Sequence, residues 1–259
     1  LLKNPAIVAK KLLDQFGITD ITSIDLIDLA YALDAVVEET PSLNADGRTI
    51  FGEKYSLIKI NSNIPYAGKK RFTLAHELGH LQLHRNLQPL FLDNDNTLEY
   101  FQKGHQETEA NEFASELLMP TEMFKKECKS KKFGPELLRQ LAERFQTSIT
   151  STAYKYFELG DHPICLFYSF NNKVCYWKRP DNYPHFITDR TRLAPPTDSV
   201  AAEFFNKGKI YSAEHSKQDI WKSTWFELKH WENDQDFKFY EYCIITPVYN
   251  TVLSIVWEA

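Results

Sequence analysis

The residues of this chain best suited to chemistry lie in one stretch, RFTLAHELGHLQLH at 71–84, which holds His76-Glu77-x-x-His80. Residues four apart on an α-helix differ by about 40° in rotation and about 6 Å in rise. Two histidines at that spacing can therefore turn imidazole nitrogens toward one ion. Glu77 follows on the same side, within reach of a water at that ion. Zinc suits such a set, because it accepts imidazole and carboxylate ligands and keeps one position open in catalytic sites. The chemistry implied is peptide-bond hydrolysis. The ion polarises a carbonyl and acidifies water, while Glu77 acts as general base and then passes the proton to the leaving amine. The developing oxyanion calls for one further donor, for which Tyr66, Tyr100 and His105 are all in range by sequence. The bland alternative is a pair of core histidines satisfied by hydrogen bonds.

For the pattern to work, the stretch must be a helix. Leu74, Leu78 and Leu81 recur at helical spacing on one side, and Phe72, Ala75, Gly79 and Leu83 fill another. Apart from the His/Glu stripe the helix is apolar nearly all round and should be buried. Gly79 costs about 1 kcal/mol against alanine in a helix interior, which calls for another element packed closely on it. A third ligand is expected from a second helix at about 105–118, whose inward face is Ala110, Phe113, Ala114, Leu117 and Leu118. Glu107, Glu109, Glu112 and Glu116 are candidates. At about 100° per residue only Glu107 falls on the edge of the inward face, and the other three, like His105, point away. Asn111 lies one turn after Glu107, shares its side and can hold it as an outer partner. His84 is about 12 Å along the axis from His76, too far to share the ion, and reads as a cleft or surface residue.

Composition narrows the class. The chain has 259 residues, enough for one large domain or two modest ones, and 43% hydrophobic content supports a real core. A formal net charge of −5 argues against a surface built for nucleic acid. Cys128, Cys165, Cys175 and Cys243 form no C-x-x-C pair and read as free thiols in a reducing compartment. No apolar run spans a bilayer, and Lys10, Lys11 and Asp14 interrupt any signal-peptide core, so the expected location is cytoplasmic, without a membrane.

Other elements follow in order. Helices are expected at 5–16 and, capped by Ser23, at 24–33. A short strand at 36–39 precedes a hairpin of 49–52 and 55–61 that turns at Glu53-Lys54. Peptidases with such a helix commonly hold substrate as an added strand on a neighbouring sheet edge, through main-chain hydrogen bonds. Ser56, Leu57, Ile58, Lys59 and Ile60, or the strand beside them, are the expected edge; an ordinary structural hairpin is the alternative. Residues 86–104 read as a loop that covers the cleft or moves. Helices at 135–145 and 148–159, joined by Gln146-Thr147, have the look of a helix-turn-helix. The second of these offers only Lys155 as a cation and no Arg or Asn fork for base edges, so direct nucleic-acid binding is not expected. Beyond Gly160-Asp161-His162-Pro163 the period changes to strands. Hairpins are expected over Asn171-Asn172, with Cys165 facing Lys178 and Cys175 facing Tyr168, and over Tyr249-Asn250, with a short helix near 198–205 between them.

Two motifs in sequence, RFTLAHELGH and ETEANEFASELLMP at 107–120, resemble those of the ImmA/IrrE family of bacterial and phage metallopeptidases. The resemblance implies an α+β chain with a zincin-like metallopeptidase domain of helices and a small sheet. It also implies zinc on His76, His80 and Glu107, with manganese able to replace it in vitro, and cleavage of a protein substrate, a helix-turn-helix repressor. The expected layout is a metallopeptidase domain at 1–130, a helix-turn-helix-like segment at 131–160 packed on it, and a mostly antiparallel β/α domain at 161–259, sensory in some relatives. The rival class is a non-enzymatic regulator that binds a repressor or DNA through its helical pair and uses the metal as a clip. Structural zinc sites usually have four protein ligands, often cysteine, and no cysteine lies in either motif helix.

Overall fold

Asn4 starts the first helix: its side chain accepts from the backbone N–H of Ile7, and Pro5 fills the first helical position, where a missing N–H breaks no bond. The computed structural model of the protein describes residues 4–41, 44–85 and 104–259, together with the backbone of 90–92. These form two units, 1–127 with 140–151 and 128–139 with 152–259. The helical pair expected as a segment of its own, 131–160, is divided between them.

In the first unit α1 (Pro5–Gln15) is followed by α2 (Leu26–Ala32), which Asp25 caps by accepting from Ile27 N–H. Ser23, the expected cap, sits instead in a single 3-10 turn and donates to the carbonyl of Asp20. β1 (Ala35–Thr40), β2 (Gly47–Ile50), β3 (Ser56–Asn61) and β4 (Leu90–Leu92) make a sheet in the order β1-β3-β2-β4. β2 and β3 form the expected antiparallel hairpin, and β1 adds in parallel to the other side of β3. β3 is thus paired along both edges. Ser56, Leu57, Ile58, Lys59 and Ile60 have no open backbone edge to offer a substrate, which corrects the sequence expectation for these residues and leaves only the strand beside them. β1 and β4 are the outer strands.

α3 (Ala67–Leu83) carries the motif and is buried without a break from Phe72 to Leu81, as its all-round apolar pattern predicted. α4 (His105–Leu118) packs along it, and its Ala110, Phe113, Ala114, Leu117 and Leu118 are all buried. A Cβ at Gly79 would lie 3.1 Å from both the Cα and the carbonyl oxygen of Ala110. The missing side chain lets the two helix backbones touch. α5 (Thr121–Cys128) follows, and α6 (Pro135–Phe145) and α7 (Ile149–Leu159) are each divided between the two units. Arg144 on α6 reaches back to Asp20 at 2.8 Å. Apart from β4 and Gly104, the loop expected at 86–104 lies outside the described residues, as does Tyr100.

The second unit is built on an antiparallel sheet. β5 (Cys165–Phe170) and β6 (Lys173–Lys178) turn over Asn171 and Asn172, both at positive φ (47° and 59°), as a tight two-residue hairpin requires. α8 (Val200–Lys207), β7 (Lys217–Ile220), α9 (Lys222–Trp225), β8 (Phe239–Thr246) and β9 (Thr251–Glu258) complete it, with strand order β6-β5-β9-β8-β7. A bulge between Tyr168 and Ser169 shifts the pairing, so Tyr168 faces Tyr176 and Leu166 faces Lys178, one residue off the register the turn alone predicts. Trp225 is fully buried and stacks on Phe167 at 4.1 Å, while Trp221 and Trp231 are exposed.

Two outcomes test this account of the first unit. Gly79→Val inserts side-chain atoms against the Ala110 backbone and is expected to lower stability by about 1–3 kcal/mol in urea denaturation. The hydrogen bond from Arg144 lowers the carboxyl of Asp20 to about 2, against 3.8 ordinarily. A depressed carboxyl stabilises the fold above its unfolded value, and that contribution is lost as pH falls through about 2. Asp20→Asn keeps a cap acceptor and removes the charge. Because both partners are about one-third exposed, the expected loss at neutral pH is at most about 1 kcal/mol. It should shrink in high salt and vanish in strong acid.

Candidate metal centre

The contact of α3 with α4 sets two histidines and one glutamate face to face. His76 and His80 are four apart on α3, and their Nε2 atoms lie 3.0 Å from each other. Glu107, in the first turn of α4, brings Oε2 to 3.2 Å from His76 Nε2 and Oε1 to 3.5 Å from His80 Nε2. Ligand atoms of all three residues lie within 4.8 Å of one another, the one such group among the described residues. A tetrahedral zinc ion with ligand distances of about 2.0–2.1 Å sets its ligand atoms about 3.3 Å apart, so the observed spacings fit one ion.

The protons fit as well. The carbonyl oxygen of Asn111 can only accept, so His76 Nδ1, 2.9 Å away, carries a proton and its Nε2 a lone pair. Glu109 Oε2 likewise accepts from His84 Nε2 at 2.9 Å, and His84 Nδ1 is then the acceptor for His80 Nδ1–H at 3.0 Å. His80 Nε2 is left with a lone pair too. Burial holds the His80 ring down to about 4, with Glu107 opposing, so it is neutral near pH 7. Two bare imidazole nitrogens and the Glu107 carboxyl group therefore face one point. Glu107 Oε2 is buried and makes no well-aligned hydrogen bond. A proton-free cluster of electron pairs is repulsive by itself and is stabilised by a cation at its centre.

Glu77 is fully buried and turns toward the sheet. Its Oε2 accepts from Thr49 Oγ1 on β2 at 2.5 Å, and a Cβ at Gly47 would come within 2.5 Å of its Oε1. β2 thus lies directly on the carboxylate. The alternation of β2 puts Gly47 and Thr49 on the helix side of the sheet, and that alternation is present in the sequence.

The remaining expectations fare differently. Asn111 is on the ligand side of α4, but it holds His76 and not Glu107. His84 does not reach the centre, yet it is 1% exposed and bonded, not a cleft or surface residue. Glu109, which the helical wheel turned outward, reaches His84 at 2.9 Å, because a helical wheel gives the direction of a Cβ and not the reach of a glutamate side chain. Its other oxygen lies 3.3 Å from His105, which is 71% exposed. Tyr66 precedes α3 and is exposed.

Residues 32–157 match the IrrE N-terminal-like domain, in line with the resemblance that the motifs carry. A Bacillus phage phi105 protein described as immunity region protein 2 is 41% identical over 70 residues, 27% of this chain. The chain spans only 42% of that relative. A Mycobacterium tuberculosis transcriptional regulator shares the fold with a TM-score of 0.60, over 98% of this chain and 87% of that one, at 11% identity. Both units are mixtures of helix and sheet, an α+β chain. Among the described residues no helix is long and apolar enough to cross a membrane.

Zinc at a hundredfold excess over its dissociation constant is expected to stabilise the metal-stripped chain by about 2.7 kcal/mol. His80→Ala should abolish the rise in melting temperature. Absence of any rise in the wild type would count against the cluster as a metal site.

Proposed function

We propose that the chain is a zinc-dependent endopeptidase with His76, His80 and Glu107 as metal ligands and Glu77 as general base. The observation that carries this reading is the convergence of two proton-free Nε2 atoms and the Glu107 carboxylate, beside a buried glutamate in the next position of the same helix. Zinc held there supplies a Lewis acid that polarises a scissile carbonyl and acidifies water. The Glu77 carboxylate takes the proton of the attacking water and returns it to the leaving amine. Thr49 fixes Oε2 of that carboxylate, so the proton is handled at Oε1. Asn111 keeps the proton of His76 on Nδ1. With three protein ligands and no cysteine among them, the set has the composition of a catalytic site and not of a structural clip.

The substrate we infer is a helix-turn-helix transcriptional repressor, cut to switch on a mobile element or stress response. The match to the IrrE N-terminal-like domain, the phage immunity-region name of one relative and the regulator title of a structural neighbour support it. Cytoplasmic location follows from such a substrate. On this reading the first unit is a zincin-like peptidase domain and the second a sensory domain. Recognition of the substrate as protein, not nucleic acid, is supported by Lys155: the one cation of α7 is buried.

The test is incubation of the full chain with a repressor encoded beside it, with added zinc or manganese. Wild type is expected to cleave, and Glu77→Gln to bind metal without cleaving. Cleavage by Glu77→Gln at the wild-type rate would end the proposal. Thr49→Val removes the donor to Glu77 and is expected to lower kcat about 10- to 100-fold with metal affinity unchanged; an unchanged kcat would deny Thr49 its part.

A further inference from the structure

A second pair of side chains stands behind the metal cluster. His84 caps the C-terminal end of α3, with its backbone N–H on the carbonyl of His80. Its imidazole lies between His80 and Glu109, at 3.0 Å from the one and 2.9 Å from the other. Histidines at 76, 80 and 84 are spaced by four, so each ring on this face of α3 meets the next: ring centroids are 4.7 Å apart for the first pair and 5.1 Å for the second. Only the first pair shares the metal cluster. The second pair shares a proton.

We propose that His84 and Glu109 are positioning residues for the metal centre, which fix the ring orientation and tautomer of His80 through a carboxylate–imidazole–imidazole relay. The proposal rests on reading the cluster as a metal site. A metal-ligating imidazole needs its second nitrogen held by an acceptor, and loss of that partner typically weakens metal binding about 10- to 100-fold. The two ligand histidines meet this need by different means. His76 uses the neutral amide of Asn111, and His80 uses a charged carboxylate acting through a second ring. Glu109 makes His84 a better acceptor, and His84 in turn makes His80 the more electron-rich ligand. One short segment of α4 therefore serves all three histidines: Glu107 at the cluster, Glu109 on His84 and Asn111 on His76.

The experiment is titration of the metal-stripped full chain with cobalt(II). Affinity is read by competition with a chelator and ligand geometry by the visible ligand-field bands, with the melting temperature of each apo protein as a check on folding. His84→Ala is expected to weaken cobalt binding about 10- to 100-fold and to alter the bands. His84→Asn puts an amide oxygen near the place of Nδ1 and is expected to recover most of the affinity, a rescue that a packing role would not give. Glu109→Gln keeps an acceptor but removes its charge, and about a tenfold loss is expected; it also serves if His84→Ala fails to fold. Wild-type affinity and bands in His84→Ala, or in Glu109→Gln if that is the variant that folds, would overturn the relay and leave the metal site standing. Equal losses in His84→Ala and His84→Asn would overturn it too. Failure of the wild type to bind cobalt would overturn the metal site itself.

Discussion

The backbone contact between α3 and α4 at Gly79 and Ala110 is the constraint on which the rest of the first unit depends. Glu107 meets two imidazoles from the opposite helix at 3.2 and 3.5 Å. A wider separation of the helices would leave it on the surface, solvated like most glutamates. Glycine at this point permits the approach, and the apolar face of α4 holds it there by burying Phe113, Leu117 and Leu118 completely. The helix-propensity cost of that glycine is about 1 kcal/mol, small beside the burial of several large side chains at about 1.5–3 kcal/mol each.

With the helices in contact, electrostatics decides what the pocket can hold. Each ring nitrogen that points away from the cluster is committed as a donor, to Asn111 or to His84. Each one that points inward is left as an acceptor. Burial keeps His80 from answering this by protonation at neutral pH. The cluster is therefore prepared for a cation before any arrives, and the sheet lies close by: β2 brings Thr49 and the small Gly47 onto Glu77, so that carboxylate is also fixed in advance. Preorganisation of this kind is what a hydrolytic site requires, since groups set in place beforehand need not reorganise during the reaction.

Much of this was legible in the chain. The placing of His76, Glu77, His80 and Glu107 follows from helical spacing within single segments, as do the β2–β3 hairpin and the Asn171-Asn172 turn. What escaped depends on pairing between distant segments. That β1 joins β3 in parallel and removes its free edge cannot be read from either strand. β7, with the sequence KQDI, carries too little apolar alternation to announce itself and is a strand only because β8 pairs with it. The places of His84 and Glu109 are hidden in the sequence for a different reason. A helical wheel assigns direction to a Cβ, not reach to a long side chain. The i,i+4 step from His80 to His84 was the available clue.

The central claim is that His76, His80 and Glu107 bind one divalent ion in common. Diffraction from crystals grown with zinc, with anomalous data collected on both sides of the zinc absorption edge, tests it most directly. The account predicts one strong anomalous peak per chain, about 2.0–2.1 Å from Nε2 of His76 and of His80, with a Glu107 oxygen as the third protein ligand. A crystal with zinc in the solvent and no peak between these residues, or a peak ligated through Nδ1 of either histidine, would contradict it.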